Sequence, residues 1–600
     1  MRLRAGKPTA ALLAALAVAS GLLVGGAARA DDGALATLVR AKDHDGAVAL
    51  LGKGADGKSR EVDGTTALMW ACYNGDAELV ERLLKAGAEV SVVNDYGASA
   101  LQVAAVVADP RIIKDLLKAG ANPDSPSPEG QTALMVVARS GNVESAKLLL
   151  DAGATVDARE QWGNQTALMW AAAEAHPEMI KLLIAHHADV NAHGAIRDWQ
   201  RRVTAEGRPK NENHGGFTPL IYAARIGCIE CAQALLKGHA DINLPDPDGE
   251  TALLLSIINM HFNFASYLIA AGADVNRWDF YGQTPLYAAI DMATLPTGGR
   301  PDLPSADKTQ PLQVAEQLLK AGANVNAQLK LRPPYRNGVF DRGGDQVLST
   351  GATALLAAAK SGNNDAIRLL LKYHPMVDLP NAEGVTPLMA AAGMGHSFNP
   401  TRGRYKTDAE ALEGVKLLQA AGGKIDGSAR DGLTALHAAA AHGWDGTVKL
   451  LVADGAPLQP TDRLGLRPID YAAGRQPRAF LEPEHVPNDA TVKLLTDDIV
   501  AATGQKPLVF AGNLNRATQG TGGAGGTSLR PGGAEAGGAR GGAAGAPKGG
   551  AAGAAPAGAA GAPGAPPAAA APAPAATPAP PAAAVPGAPA ATQTAQNHAQ

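Results

Sequence analysis

Two kinds of apolar segment alternate along the chain from Gly64 onward, and they differ in how small and large residues are spaced. Gly432–Leu464 shows both. Thr434-Ala435-Leu436-His437 leads into a run of small residues, Ala438–Ala441. A threonine hydroxyl in that place caps free helix amides and His437 can bond back to it, so this run predicts a short helix that neighbours approach closely. Gly443 interrupts it. Val448, Leu450 and Leu451 supply the apolar stripe of a second helix. Gly455-Ala456 ends that helix, where a residue with positive φ is the cheapest stop. Asp462 and Gly465 then shape an exposed turn.

The unit recurs. Turn glycines Gly64, Gly97 and Gly130 are spaced 33 residues apart, as are Gly216, Gly249 and Gly282, and the pairs Gly351/Gly384 and Gly432/Gly465. Behind them stand Thr66-Ala67-Leu68, Thr132-Ala133-Leu134, Thr166-Ala167-Leu168, Thr218-Pro219-Leu220 and Thr251-Ala252-Leu253. Thr284-Pro285-Leu286, Thr353-Ala354-Leu355 and Thr386-Pro387-Leu388 continue the series, and Ser99-Ala100-Leu101 keeps the hydroxyl. Gly-Ala pairs follow at Gly87, Gly120, Gly153, Gly272 and Gly322. The pattern resembles the ankyrin repeat, with its T-P-L-H-x-A signature and period of about 33 residues. The resemblance implies an all-α solenoid of about eleven helix-turn-helix repeats, with exposed turns or β-hairpins, long insertions and an atypical N-terminal cap.

The chain order follows. Residues 1–30 read as a signal peptide: Arg2, Arg4 and Lys7, then a small apolar run from Thr9 to Val24, then Ala28-Arg29-Ala30 before Asp31. The alternative, an anchor that stays in the bilayer, wants about 20 apolar residues. Cleavage after Ala30 predicts a periplasmic or secreted protein with no stable membrane insertion. Residues 31–63 are the capping repeat, 64–192 the first four repeats, 193–215 a basic insertion, and 216–503 the remaining repeats. Further insertions fall at 293–310, 327–350 and 396–407, a linker at 504–515, and a Gly/Ala/Pro-rich tail at 516–600. The tail lacks the apolar residues to offset the cost of ordering and is expected to be disordered.

Composition narrows the function. A formal net charge of -4 over 600 residues argues against a general nucleic-acid binder. Aromatics at 4% suit thin helix pairs packed through alanine better than one large core. Against that background three of the four insertions are basic. One holds Arg201, Arg202 and Trp199, another Arg336, and the one at 396–407 holds Arg402, Arg404, Tyr405 and Lys406 with no acid. Either these cations keep exposed loops soluble, or they form an anion-facing surface for an acidic partner.

The aromatics Tyr96, Trp162, Trp278, Phe280 and Tyr281 lie beside turn glycines, where ankyrin proteins commonly contact partners; contact and packing both remain open for Trp162 and Trp278. Trp70 and Trp170 recur at one register inside the first helix and read as packing. Cys228-Ile229-Glu230-Cys231 opens a second helix; both packing and a disulfide fit, and Cys231 aligns with aliphatic positions such as Leu79. His176 follows a first helix, a structural place in many ankyrin repeats. No H-E-x-x-H, phosphate loop or G-x-S-x-G occurs, so neither metal, cofactor nor catalysis is expected. The reading is a non-enzymatic, monomeric protein-binding scaffold in the cell envelope. Its rivals are a secreted effector acting on host proteins, and a hydrolase or lyase with a site built from the insertions.

Overall fold

The structure, a computed structural model, describes residues 33–197, 214–294, 305–331, 347–395, 406–475 and 487–509. Contacts divide the chain after Thr521; residues 522–600, with the rest of the tail and the leader, lie outside the described residues. Everything below concerns the first unit.

Short helices come in consecutive pairs, from Ala34–Arg40 with His44–Gly52 to Pro468–Ala472 with Asp489–Thr503. First helices pack on first helices of the adjoining pairs, and second helices on second helices. The first row is enclosed on several sides, which is why its helices are built of small residues. Ala67, Leu68, Met69, Trp70, Ala71 and Cys72 are all buried in Ala67–Asn74. The second row is covered on one side and buries a narrow stripe, as Leu79, Val80 and Leu83 do in Ala77–Lys85 and Ile112, Ile113 and Leu116 do in Pro110–Lys118.

The threonines cap as the pattern predicts. Met69 N donates to Thr66 Oγ1 at 3.1 Å, and the same bond recurs at Thr132, Thr166, Thr218, Thr251, Thr353 and Thr386. Pro110 and Pro177 each sit at the start of a second helix, where a missing amide costs nothing. Second helices end in positive φ, Gly87 at 87°, Gly153 at 89° and Gly322 at 91°; His187 at 66° and His239 at 67° take that conformation without glycine. A second set of bonds ties consecutive pairs together near these ends. Thr155 N donates to Asp124 Oδ1, Asp241 N to Asn191 Oδ1, Asp274 N to Asn243 Oδ1, Asn324 N to Asn276 Oδ1 and Met376 N to Asn326 Oδ1, at 2.7–2.8 Å.

The turns between pairs are not β-hairpins. Among the described residues there is no strand, only isolated bridges such as Arg60↔Thr66, Val93↔Ser99 and Ser428↔Thr434. The reason is in the side chains. Asn94 Oδ1 accepts from Tyr96 N and Ala98 N, Asp246 Oδ1 from Asp248 N and Glu250 N, Asn381 Oδ1 from Glu383 N and Val385 N, and Asp462 Oδ1 from Leu464 N and Leu466 N. One carboxylate or amide oxygen per turn thus consumes amides that a ladder would use. Several turns also donate one backbone amide to the turn before them: Asp95 N to Asp63 O, Gln161 N to Glu129 O, Phe280 N to Asp248 O, Ala382 N to Thr350 O and Arg463 N to Asp431 O; at Pro128 and Pro247 a proline takes the donor's place and has no amide to give. The expectation of hairpins is corrected to a row of side-chain-closed turns, stitched to one another, on an all-α array.

Candidate functional site

The turn row gathers the aromatic residues singled out in the sequence. Trp162 is 72% exposed, Phe280 59%, Trp278 49% and Tyr96 40%, whereas Tyr281 is buried. Val62 and Leu464, which the sequence reading passed over, are exposed in corresponding turns. These apolar tips stand on fixed supports. Glu160 accepts from Trp162 N at 2.6 Å, Gly163 N at 2.7 Å and Gln165 N at 3.0 Å, so one carboxylate clamps the backbone that carries Trp162. Asp279 Oδ1 accepts from Tyr281 N at 2.9 Å and Gln283 N at 2.8 Å. The Tyr281 ring stands edge-on beneath Phe280, with centroids 5.4 Å apart. Its carbonyl accepts Lys330 N and Leu331 N, which brings the next turn alongside. Lys330 Nζ then lies 3.1 Å from the Trp278 ring centroid, a cation on an exposed aromatic face.

Carboxylates lie in the same turns. Burial, then repulsion from Asp246, Asp279 and Asp248, pushes Glu250 up to about 8. Burial likewise raises Asp279 to about 6, against the pull of the Gln283 and Tyr281 amides. His214 meets Asp248 at 2.6 Å. The edge therefore combines apolar tips, one cation on Trp278 and a base of buried carboxylates, a mixture suited to gripping a protein surface. Among the described residues no group of three or more His, Cys, Asp or Glu could hold a metal ion.

Trp199, Arg201, Arg202, Arg336, Arg402, Arg404 and Tyr405 lie outside the described residues. What is described is where two of the insertions leave and return. Arg197 N donates to His214 O at 2.7 Å and Gly216 N to Ala195 O, closing the first at the Ile196↔Gly215 bridge. Leu329 N to Ala352 O and Gly351 N to Leu329 O close the second beside Gln328↔Thr353. Both excursions thus start from the turn row and come back to it.

Lys406 corrects the count of insertion cations. It is 4% exposed, and its Nζ donates to Ala390 O at 2.6 Å, Ala391 O at 2.9 Å and Ala359 O at 3.3 Å, with the Trp444 ring 5.5 Å away. In other pairs this place belongs to His176, bonded to Arg139 O, and His261, bonded to Arg225 O, both at 3.0 Å. The signal was present: Lys406 stands directly before Thr407-x-x-Glu410, a capping box that starts a second helix.

Trp70 is buried, and Trp170 lies under the Arg139 guanidinium at 5.3 Å. Cys228 and Cys231 are joined in a disulfide with Cα atoms 5.3 Å apart. Cys72 is buried and reduced, and burial pushes its thiol up.

Among the described residues no helix is long and apolar enough to cross a membrane. Similar curated proteins include the nuclear factor NF-kappa-B p105 subunit of Gallus gallus, 33% identical over 38% of this chain and 19% of that protein. Inversin of Homo sapiens is 28% identical over 34% of this chain and 16% of its own length. The chain thus spans less than a fifth of either relative. Among solved structures, the ankyrin repeat domain of Bcl-3 is 26% identical over 38% of this chain and 94% of that one, with a TM-score of 0.32; that of human ASB11 is 22% identical over 37% and 91%, with a TM-score of 0.31. The profile for ankyrin repeats in three copies matches residues 35–125, 104–193, 220–329 and 305–398, and the single ankyrin repeat matches 431–463. With more than half its length so matched, and with paired helices and linked turns in the same register, the chain belongs to the ankyrin-repeat family.

Proposed function

We propose that this non-enzymatic ankyrin scaffold works in the cell envelope, holding a protein partner along its turn row between Trp162 and Lys330. The supporting observation is the set of exposed aromatics on clamped backbone, Trp162, Trp278 and Phe280, with Lys330 over Trp278. Large rings that are already ordered lose little entropy on contact, which is why such residues dominate interface energetics. Two of the basic insertions leave and rejoin the same row, and their Arg201, Arg202 and Arg336 would favour an acidic partner; Arg402 and Arg404 belong to an insertion between the first and second helices of one pair and would add to the same preference. Export rests on the leader-like residues 1–30, and a mature chain beginning at Asp31 is the outcome N-terminal sequencing should return from an envelope fraction; an intact Met1 would remove export.

The binding reading is tested by affinity capture with the full chain against a Trp162→Ala/Trp278→Ala/Phe280→Ala variant. The variant should lose the captured partner while its unfolding midpoint falls only slightly, because Trp162 and Phe280 are exposed and Trp278 is half exposed. Equal capture by both would refute the turn row as the contact surface. Reversal of the five arginines to Glu should weaken capture and flatten its salt dependence; unchanged capture across a salt titration would leave them as solubilising charges only.

A further inference from the structure

The Cys228–Cys231 bond is unusual in what it does not hold together. It spans the start of the helix Ile229–Lys237, with Cys228 as the capping residue. The same helix start is built elsewhere without a cross-link. Asp43 accepts from Gly46 N, Asp76 from Leu79 N, Asn142 from Ser145 N, Asn363 from Ala366 N and Asn488 from Thr491 N, all at 2.9–3.1 Å. Here Cys228 Sγ takes that role, accepting from Cys231 N at 3.2 Å. The sulfur therefore sits where the fold elsewhere puts a carboxylate or amide oxygen, facing amides that favour negative charge. Cys231, by contrast, is fully buried in the place of Leu79 and Ile112, whereas Cys228 is only partly covered.

We propose that Cys228 and Cys231 form a reversible thiol–disulfide exchange site, in which Cys228 is the attacking and attacked sulfur and Cys231 resolves. The co-reactant is a dithiol reductant in one direction and a protein or small-molecule disulfide in the other. On reduction, a thiolate of the dithiol attacks Cys228 Sγ. The Cys228–Cys231 bond breaks with its electron pair leaving on Cys231 Sγ, which takes up a proton. The second thiol of the reductant, deprotonated, then displaces Cys228 Sγ and closes the reductant's own disulfide, so the pair gains two electrons; of the two protons the dithiol gives up, one ends on Cys231 and the other goes to solvent. Cys228 leaves as a thiolate on its cap. Around it, Glu230 in the same first turn opposes that charge, while His261 of the next pair packs against Gly227, the residue before Cys228. Because the uncross-linked pairs hold the same geometry, opening the bond leaves the array folded.

The test uses the full chain, dithiothreitol as reductant and oxidised glutathione as disulfide. Acid-quenched maleimide labelling followed by mass analysis should find the pair oxidised in purified protein and reduced after native treatment with dithiothreitol. The unfolding midpoint should barely move, and Cys72 should stay blocked until denaturation. With Cys231→Ser, Cys228 should form a mixed disulfide with glutathione at least about tenfold faster than Cys231 does in Cys228→Ser. Three results would each overturn the proposal: a bond that yields only on unfolding, a reduced protein whose midpoint collapses, or equal rates in the two serine variants.

Discussion

The ammonium of Lys406 is held by three main-chain carbonyls and opposed by its own burial. Burial, reinforced by Lys360, pushes its pKa down to about 7, while Glu410 pulls the other way. An unfolded lysine titrates near ~10.4. Between those values the unfolded chain keeps a proton that the folded chain has shed, so stability should climb as pH rises from about 7 toward about 10. Urea unfolding at stepped pH checks this. Wild type should gain stability over that window relative to Lys406→Met, and parallel profiles would show that the carbonyls keep the group charged throughout. Glycines at the two ends of a pair separate two other residue-scale effects. Gly153 has φ of 89° and an added Cβ would meet nothing within 4 Å, so Gly153→Ala should cost only the left-handed strain, about 1–2 kcal/mol. At Gly97, with φ of 72°, the added Cβ would lie 2.4 Å from Pro128 Cγ, so Gly97→Ala should cost more. Equal losses in denaturant melts would mean that the turns relax around the clash.

Among elements, the helix pairs were legible because their signals are local. Thr before a small run, an apolar stripe and a terminal glycine each sit within one turn of what they determine. The loop chemistry was less legible. In the turns, Asp279 or Asn94 decides between a hairpin and a closed turn by where one oxygen points, and sequence spacing does not record that. Lys406 was misread for a related reason: a lysine beside Arg402 and Arg404 reads as one more loop cation unless its register against His176 and His261 is noticed. The same register separates neighbours on the helix Val143–Asp151. Leu149 is fully buried and Leu148 only partly so. Leu149→Ala should therefore cost about 2–5 kcal/mol, and Leu148→Ala clearly less, by equilibrium unfolding. A larger loss at Leu148 would place the stripe on the wrong face.

Over the whole array, the proposed contact surface and most of the contacts that hold the fold lie at different places. Consecutive pairs are tied by packed helices, in the middle of the array by the Asp and Asn bonds that run from Asp124 to Asn326, and at several turns by one backbone bond. Such nearest-neighbour coupling stiffens the row that carries Trp162, Trp278 and Phe280 while leaving much of each ring exposed. A scaffold of this kind binds through side chains that folding leaves exposed, and its contact surface should be separable from its stability. Hydrogen exchange of the full chain, with and without its captured partner, tests that claim most directly. The account predicts new protection at residues 160–165, 246–250, 278–283 and 329–331, with second helices unchanged. Protection confined to the outer face of the second helices, with those turns exchanging as before, would contradict it.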